Sequence, residues 1–398
     1  MAADGTGMSG GEVLDDLLAV LVEEGGSDLH VKVGSPPKVR VNGELRPIPG
    51  RPVLDPETTA AMAEMALPAR VMPRFEEYHD ADFSYSRAHI GRFRANVFRQ
   101  RGSVAMVFRR VSDEPARFDD LGMPDVVRVL AEEHRGLVLV TGPTGSGKTT
   151  TLAAMIDHIN RMRDCHIVTI EDPIEILHRD DRASINQREI GVDALSFGGA
   201  LRGAMRQDPD VILVGEMRDQ ETVAAALSAA ETGHLVFSTL HTIDAAETIH
   251  RIVDFFPPHQ QSQVRHALAG SLRGTICQRL VPTLDENGRV AAMEVMVAHG
   301  RIAAAISDAS LTSTIPELIA EGTFYGMRTF DQHLAELVED RQISISSAMA
   351  TASKAQDLRV ELQRRKLIDA AGNEIVEQPA PAGGNDLLNQ VLSINRAE

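Results

Sequence analysis

Cysteine, tryptophan and long apolar runs are scarce or missing in this sequence of 398 residues, which has two cysteines and no tryptophan. Cys165 and Cys277 lie far apart, so a disulfide framework and a four-cysteine zinc site are excluded and a reducing compartment is indicated. No apolar run reaches the length of a membrane span, and Met1–Gly11 lacks the basic and hydrophobic regions of a signal peptide. We therefore expect a cytoplasmic protein without direct membrane insertion.

Basic residues are also outnumbered by acidic residues. The formal net charge is −17 at pH 7, from 40 lysines and arginines against 57 acidic residues. Nucleic-acid-binding proteins usually carry a basic excess, and anionic membrane surfaces attract basic proteins. The composition therefore predicts no nucleic-acid partner, whereas docking onto a membrane protein stays open.

The first part of the chain has the pattern of a small α+β domain, which we expect to cover residues 12–111. Residues 1–11 are rich in glycine and serine and are expected to be disordered. Glu12–Glu24 has helical spacing of apolar residues, and Asn42-Gly43 is a strong hairpin signal. Alternating apolar residues then predict three more strands, around Phe83–Tyr85, Phe93–Val97 and Val104–Phe108.

After a linker at residues 112–122, apolar strands alternate with helices, a pattern typical of a parallel α/β sheet. We expect this second domain to cover residues 123–368 and to be mostly helical from Pro257 onward. Residues 369–398 are expected to form a flexible tail, in which Asp386–Ile394 has the pattern of a short docking helix. The predicted strands are Leu137–Val140, Ile167–Ile170, Val211–Val214 and Leu235–Thr239.

A complete phosphate-binding loop follows the first of these strands and opens into a helix. Its glycines allow successive backbone N–H groups to point at phosphate oxygens, and the helix N-terminus adds partial positive charge. Lys148 is the expected ligand of the β- and γ-phosphates, and Thr149 the expected ligand of Mg²⁺. The predicted binding residues are Gly142, Pro143, Thr144, Gly145, Ser146, Gly147, Lys148, Thr149 and Thr150.

The other three predicted strands also end in polar, reactive groups, and the carboxyl ends of parallel strands are where ligands bind. Glu216 is the preferred general base, and it reaches a metal at most through water because Val214 stands where an aspartate would bind directly. Glu171 is the second acid, which orients the water or shares the metal. His234 and His241 flank the fourth strand, and either is a candidate to sense the γ-phosphate.

Phosphoryl transfer also needs cations besides Lys148. The small domain contains several arginines in a short stretch, and a solvated basic face is the alternative interpretation of them. Arg202, Arg206 and Arg218, near the third strand, are rival candidates. The stretch comprises Arg92, Arg94, Arg99, Arg101, Arg109 and Arg110.

Taken together, these segments resemble the secretion ATPases of the type II/IV superfamily, and within it the type IV pilus retraction ATPases of the PilT/PilU group. The similarity runs from about Glu12 to about Leu337. The matching segments are the phosphate loop, Ile170–Glu175 (Asp box), Arg206–Asp219 (Walker B), Thr232–Thr242 (His box), Ser27–His30, Arg40–Gly43, Gly91–Arg94 and Ala230–His234.

The resemblance implies an α/β fold with a RecA-like P-loop ATPase domain behind a small PAS-like domain. It implies a homo-hexameric motor that hydrolyses ATP with Mg²⁺ to retract pili in twitching motility, peripheral to the inner membrane. Its implied partners are an inner-membrane platform protein and a paralogous retraction ATPase. By position, Arg94 and Arg109 match family arginines that approach the phosphates.

Gly300–Ser307 departs from the group, because neither the arginine nor the asparagine of an Ala-Ile-Arg-Asn-Leu-Ile-like segment is in place. A PilU-like accessory ATPase and a slowly hydrolysing, nucleotide-gated regulator are therefore alternatives. An assembly or secretion ATPase of the same superfamily is another, although the missing four-cysteine site favours retraction. A RecA-like DNA translocase is disfavoured by the acidic charge.

Overall fold

The chain forms two compact units in a computed structural model that describes residues 10–369, 372, 374 and 375. The first unit contains the described residues up to Pro115 together with Val168–Phe197, and the second contains Ala116–Ile167 and the residues from Gly198 onward. The expected flexible tail beyond residue 375, including the expected helix Asp386–Ile394, lies outside the described residues. In the described part of the chain, no helix combines the length and the apolar character that a membrane span requires.

The helices are short to medium in length, and most begin at a capping residue or a proline. In chain order they are α1 (Gly10–Glu23), α2 (Pro56–Ala66), α3 (Met72–Tyr78), α4 (Asp125–Ala131), α5 (Lys148–Met162), α6 (Phe197–Ala204), α7 (Gln220–Glu231), α8 (Ala245–Asp254), α9 (Pro258–Ser271), α10 (Gly300–Ser307), α11 (Ile315–Glu321), α12 (Phe330–Glu339), α13 (Ile345–Thr351) and α14 (Ala355–Arg364).

The strands fall into an antiparallel set early in the chain and a mainly parallel set after it. In chain order they are β1 (Asp28–Lys32), β2 (Lys38–Val41), β3 (Glu44–Pro47), β4 (Asp80–Arg87), β5 (Gly91–Gln100), β6 (Ser103–Arg110), β7 (Gly136–Thr141), β8 (His166–Glu171), β9 (Ser184–Glu189), β10 (Val211–Val214), β11 (Leu235–Leu240), β12 (Leu272–Pro282) and β13 (Arg289–Val297).

The first unit is built on an antiparallel sheet in the order β3-β2-β1-β6-β5-β4. Its core contains the fully buried Phe93 and Phe108 from the sheet, and Leu14 and Leu18 from α1. The predicted helix, hairpin turn and three alternating strands are all confirmed. The alternation succeeds because one face of an antiparallel sheet is buried and the other is solvated.

The expectation of disorder through Gly11 is wrong for its last two residues, because α1 begins at Gly10. A Cβ atom at Gly10 would lie 2.7 Å from the carbonyl carbon of Ala61 in α2. Glycine here permits close packing of two helices. In the sequence alone, a glycine used in this way cannot be distinguished from one in a flexible terminus.

Residues 168–197 belong to the first unit, although they follow the predicted linker at residues 112–122 and lie within the range 123–368 expected for the second domain. In this segment β9, a strand that the sequence did not predict, pairs with β8. Glu189 at the end of β9 accepts hydrogen bonds from Ser84 Oγ at 2.5 Å and Arg92 Nη2 at 2.7 Å. Leu177 N also donates to Ser112 O at 2.8 Å. These long-range contacts, which have no local signal, attach the segment to the small domain.

The second unit contains a sheet in the order β13-β12-β7-β11-β10, in which all pairs except β12 with β13 are parallel. Every residue of β7, β10 and β11 is buried. Continuous apolar strands of this kind are typical of parallel sheets covered on both faces. All four predicted strands are confirmed to within one residue at each end.

The prediction of a mostly helical region after Pro257 is wrong for residues 272–297, where β12 and β13 form a long antiparallel pair. These residues become strands because β12 also pairs with β7 and extends the central sheet. Asn287-Gly288 in the connection is a hairpin signal that the sequence interpretation missed. The helical prediction holds from α10 to α14.

Candidate functional site

The phosphate loop lies between β7 and α5, and its backbone requires glycine. Gly142, Gly145 and Gly147 have φ values of +143°, +79° and +89°. A Cβ atom at Gly142 would lie 2.5 Å from Gln278 O and 2.6 Å from Ser146 Oγ. Only a residue without a side chain fits there, so the loop has the shape of a cradle lined by main-chain groups.

Lys148, the first residue of α5, folds back over this loop. Its Nζ donates to Gly142 O at 2.7 Å and to Pro143 O at 3.0 Å. Ser146 Oγ is buried inside the loop, and the described residues offer it no hydrogen-bond partner. Thr149 follows in the first helical turn and is exposed. An ammonium group, a buried hydroxyl and a helix N-terminus thus meet at the cradle, which suits a polyphosphate anion.

A pocket of about 810 Å³ adjoins the loop within the second unit. Gly147 and Thr150 line it on the loop side, and Leu280 of β12 supplies an apolar wall. Gln278 donates from Nε2 to Thr151 Oγ1 at 2.8 Å, while its buried Oε1 has no partner within the described part of the chain. Gln278 was missed by the sequence analysis, because its strand was not predicted.

Glu216 lies just beyond β10 and forms a cluster with Arg218 and His241. Its Oε2 is 2.8 Å from Arg218 Nη2, and its Oε1 is 3.2 Å from His241 Nε2. Burial raises the pKa of the Glu216 carboxyl, but the hydrogen bonds and charges of Arg218 and His241 outweigh it, and the net pKa lies below the ordinary value. Glu216 is therefore a carboxylate at neutral pH, able to accept a hydrogen bond from water or to face a hydrated cation.

The sheet brings Glu216 and His241 to the same edge as the phosphate loop. β11 lies between β7 and β10, with Leu240 opposite Thr141 and Ser238 opposite Val214. Thr239 Oγ1 also donates to Gly215 O at 2.6 Å, which joins the ends of β10 and β11. Since adjacent strands are about 4.8 Å apart, the ends of β7 and β10 are separated by roughly 10 Å.

The two histidines offered as candidate γ-phosphate sensors flank β11 as expected, and His234 lies at the opposite end of the strand from His241 and the phosphate loop. It precedes β11, and its carbonyl accepts from Gly136 N at 2.9 Å, where β7 begins. A strand of this length spans about 20 Å. His234 Nδ1 lies 2.9 Å from Ala229 O in the last turn of α7. Its observed contacts therefore terminate a helix.

Glu171 belongs to the first unit, where it ends β8. Thr169 Oγ1 donates to its Oε1 at 2.6 Å and Gln187 Nε2 at 3.1 Å. Burial raises the pKa of the Glu171 carboxyl above its ordinary value, and these two donors offset the effect only in part. A shielded carboxyl with two fixed donors is a suitable group for holding a water molecule.

Arg94 and Arg109 stand directly opposite one another on β5 and β6 of the first unit. Arg94 Nη1 is 3.4 Å from Glu175 Oε1, and Arg109 Nε donates to the buried Asp28 Oδ1 at 2.8 Å. Both arginines line a pocket of about 650 Å³ in this unit. Burial alone would raise the pKa of Asp28, but bonds from Ser27 and Arg109 lower it below its usual range.

Arg92, another candidate from the arginine-rich stretch, is engaged differently. Its side chain is 18% exposed and pairs with Glu189, which is 4% exposed, at 2.7 Å. This ion pair has a structural role within the first unit. Glu189 escaped the sequence analysis because it lies on the unpredicted β9.

Comparison with known families and relatives agrees with the motifs. A family described as type II/IV secretion system protein matches residues 12–376. The type IV pilus retraction ATPase PilT of Pseudomonas aeruginosa is 44% identical over 339 residues, which cover 85% of this chain and 98% of PilT. The type IV pilus ATPase PilU of the same organism is 40% identical over 356 residues, covering 89% of this chain and 93% of PilU.

Solved structures give the same relationship. A crystal structure of the pilus retraction motor PilT with bound ADP matches with a TM-score of 0.79 at 45% identity, over 88% of this chain and 99% of the other. The ATPase DotB of Legionella pneumophila matches with a TM-score of 0.76 at 27% identity, over 88% of this chain and 97% of DotB. The family match at residues 12–376 includes residues of both compact units.

Proposed function

The chain belongs to the type II/IV secretion system protein family, and from this premise we propose that it is an ATPase motor that retracts type IV pili. The observation that carries the proposal is the glycine cradle after β7, with the Glu216–His241 pair at the same edge of one parallel sheet. Close similarity to ATPases named for pilus retraction supports the choice of work that the motor performs.

In this proposal, the second unit binds the nucleotide and prepares the water. Backbone N–H groups of the loop and the ammonium of Lys148 hold the β- and γ-phosphates. Glu216 accepts a hydrogen bond from the attacking water, and His241 holds the carboxylate in place. Thr149, and Glu216 through water, would hold Mg²⁺, whose charge neutralises the phosphate oxygens.

Arg94 and Arg109 of the first unit supply the remaining positive charge in this proposal, and Glu171 supplies a second carboxyl. Their pairing with Glu175 and Asp28 supports it, because exposed arginines held by carboxylates are ordered before an anion arrives. Stabilisation of transferring phosphoryl groups by arginine is worth about 10³–10⁵ in rate. These assignments rest on family position and on the observed pairing.

We also propose a homo-hexamer that acts on an inner-membrane platform protein at the cytoplasmic face. The support is the resemblance to the PilT/PilU group, together with the presence of two such ATPases, PilT and PilU, in one bacterium. A paralogous retraction ATPase is accordingly a proposed partner.

A PilU-like accessory ATPase or a nucleotide-gated regulator is the second candidate, and α10 is the observation that favours it. Gly300–Ser307 forms a helix that buries Ile302, Ala305 and Ile306, and its exposed Arg301 pairs with Glu321 at 3.0 Å. The segment that departs from the retraction group is thus folded, with its own surface chemistry.

Two experiments separate these functions. Purified oligomer is assayed for steady-state ATP turnover, and a rate near the uncatalysed background would favour the regulator. The gene is then deleted in the source organism and surface pili are counted. Excess pili with lost surface movement is the expected result. Cells without pili would assign the protein to pilus assembly instead. An unchanged number of pili and unchanged movement would contradict both a retraction role and an assembly role.

A further inference from the structure

Glu294 of β13 is a buried acidic residue outside the nucleotide cradle. Its Oε1 accepts a hydrogen bond from the backbone N–H of Ala245 at 2.9 Å. Ala245 is the first residue of α8, so the carboxyl group lies at the N-terminus of a ten-residue helix. The bond joins residues that are 49 positions apart, across strand and helix.

The helix that Glu294 holds is joined to the catalytic edge by a very short connection. β11 ends at Leu240 and α8 begins at Ala245, and His241 is the first residue between them. His241 contacts Glu216 at 3.2 Å. A displacement of the start of α8 would therefore also displace His241.

The connection is also stiffened internally. Thr242 Oγ1 lies 2.7 Å from Thr248 Oγ1, and Asp244 caps α8 by accepting from Glu247 N at 2.7 Å. Glu247 returns a bond, since its Oε2 accepts from Ile243 N at 2.8 Å. These bonds make the connection and the first turn of α8 one rigid piece, and Glu294 ties that piece to the sheet.

Burying the Glu294 carboxyl near other acidic residues is costly, and its hydrogen bond from Ala245 offsets part of that cost. Burial and the charges of Asp244 and Asp331 raise the pKa of the carboxyl to about 7, whereas the Ala245 hydrogen bond and Arg279 lower it. Glu294 in turn raises the pKa of the buried Cys277 thiol, after burial itself. An apolar residue would fill the same space without this cost, which suggests a requirement for the hydrogen bond.

We propose that Glu294 is a positioning residue for ATP hydrolysis, which fixes the start of α8 and thereby sets His241 against Glu216. The proposal rests on the proposed ATPase function. It assigns Glu294 no contact with nucleotide, metal or water, so its loss acts on turnover more than on ATP binding.

The test compares Glu294→Ala and Glu294→Gln with His333→Ala as the matched control. His333 Nδ1 accepts from Met293 N at 2.9 Å, so the control removes a buried hydrogen bond to the neighbouring residue of β13 from α12 instead of α8. Each variant is assayed where circular dichroism shows it to be folded. We expect Glu294→Ala to lower kcat at least tenfold with KM for ATP within threefold. Glu294→Gln, which retains an acceptor oxygen, should recover kcat to within threefold, and His333→Ala should keep kcat within threefold.

Hydrogen–deuterium exchange of peptides covering residues 241–248 supplies a readout that does not need activity. Glu294→Ala should speed exchange there at least tenfold, and His333→Ala should leave it unchanged. Equal kcat or equal exchange in the two alanine variants would overturn the positioning role. An inactive wild-type protein would instead contradict the ATPase proposal, and the exchange result would then decide the contact between Glu294 and α8 by itself.

Discussion

Glu216 and His241 meet beyond the ends of two neighbouring parallel strands, with 3.2 Å between Oε1 and Nε2. The pairing of β10 with β11 brings them together, because it aligns the carboxyl ends of both strands. The imidazole and Arg218 hold the carboxylate from both sides and lower its pKa against the effect of burial. In the proposed mechanism, this is the place where a water molecule would be activated.

Replacing Glu216 by glutamine should remove turnover while nucleotide binding persists. The amide retains the size of the side chain but has lost the negative charge that accepts a proton or polarises water. We expect kcat to fall by about 10²–10⁴-fold. Single-turnover hydrolysis and binding of a fluorescent ATP analogue measure the two effects separately. Retention of near wild-type kcat would contradict the assignment of the general base.

Replacing Lys148 by alanine should weaken both binding and turnover. The ammonium group is held over the loop by Gly142 O and Pro143 O, and it is lost without disturbing the glycines that shape the cradle. We expect kcat/KM to fall by about 10²-fold or more. Circular dichroism should show an unchanged fold. Hydrolysis at the wild-type rate in this variant would contradict the assignment of the nucleotide site to this loop.

Gly142→Ala should destroy the loop, because the new Cβ would lie 2.5 Å from Gln278 O at a φ of +143°. Backbone strain of this kind costs about 1–3 kcal/mol before the clash is counted. Gly300→Ala is the matched control, since that glycine has ordinary φ and open space around its Cβ position. Calorimetric titration with ATP should show lost binding only in the first variant. Equal affinity in both would refute the cradle geometry.

The Arg92–Glu189 ion pair should contribute far more to stability than a surface pair of similar length. Glu189→Ala leaves Arg92 without its buried partner, and such losses cost about 3–5 kcal/mol. The control is Asp119→Ala, which breaks the 2.8 Å pair of Arg128 with an acid that is 82% exposed. That change should cost much less, because an exposed ion pair contributes little to stability. Urea denaturation measures both, and similar midpoints would argue against the role of Glu189 in attaching residues 168–197.

Two buried groups, Glu294 of β13 and His333 of α12, should make the free energy of unfolding depend on pH in opposite directions. Burial raises the pKa of Glu294 to about 7, so its stabilising contribution is complete below about pH 4.5 and is lost as pH rises through 7. Burial and Arg328 lower the pKa of His333 to about 4, so its contribution is present above about pH 6.5 and is lost as pH falls toward 4. Between pH 4.5 and 6.5 the two effects oppose each other.

Removing one of these two groups should therefore expose the pH dependence that the other group gives to the free energy of unfolding. Glu294→Gln should make stability rise more steeply with pH in that window, by about 1.4 kcal/mol per pH unit, and His333→Gln should change the slope by a similar amount in the opposite direction. Urea denaturation at pH 5, 5.5, 6 and 6.5 measures the slopes. Parallel curves for wild type and both variants would contradict the titration of these groups.

Much of the architecture follows from local pattern. The apolar runs of β7, β8, β10 and β11 and the glycine loop after β7 were predictable because a buried parallel strand and a phosphate cradle each require particular residues in sequence. The β12–β13 pair was not, since β12 pairs with the distant β7, β13 pairs with β12, and only Asn287-Gly288 marks the pair locally. β9 and the attachment of residues 168–197 were missed for the same reason.

The sequence by itself determined the chemical class of the site, because Gly142, Lys148 and Glu216 are defined by spacing and by the strands that precede them. Only the tertiary structure decided which candidates lie together. It placed His241 against Glu216 and His234 at the opposite end of β11, and it put Arg94 beside Arg109 while Arg92 pairs with the buried Glu189. Hydrogen bonds between distant segments make these choices, and their energies depend on burial and geometry that no local stretch of sequence contains.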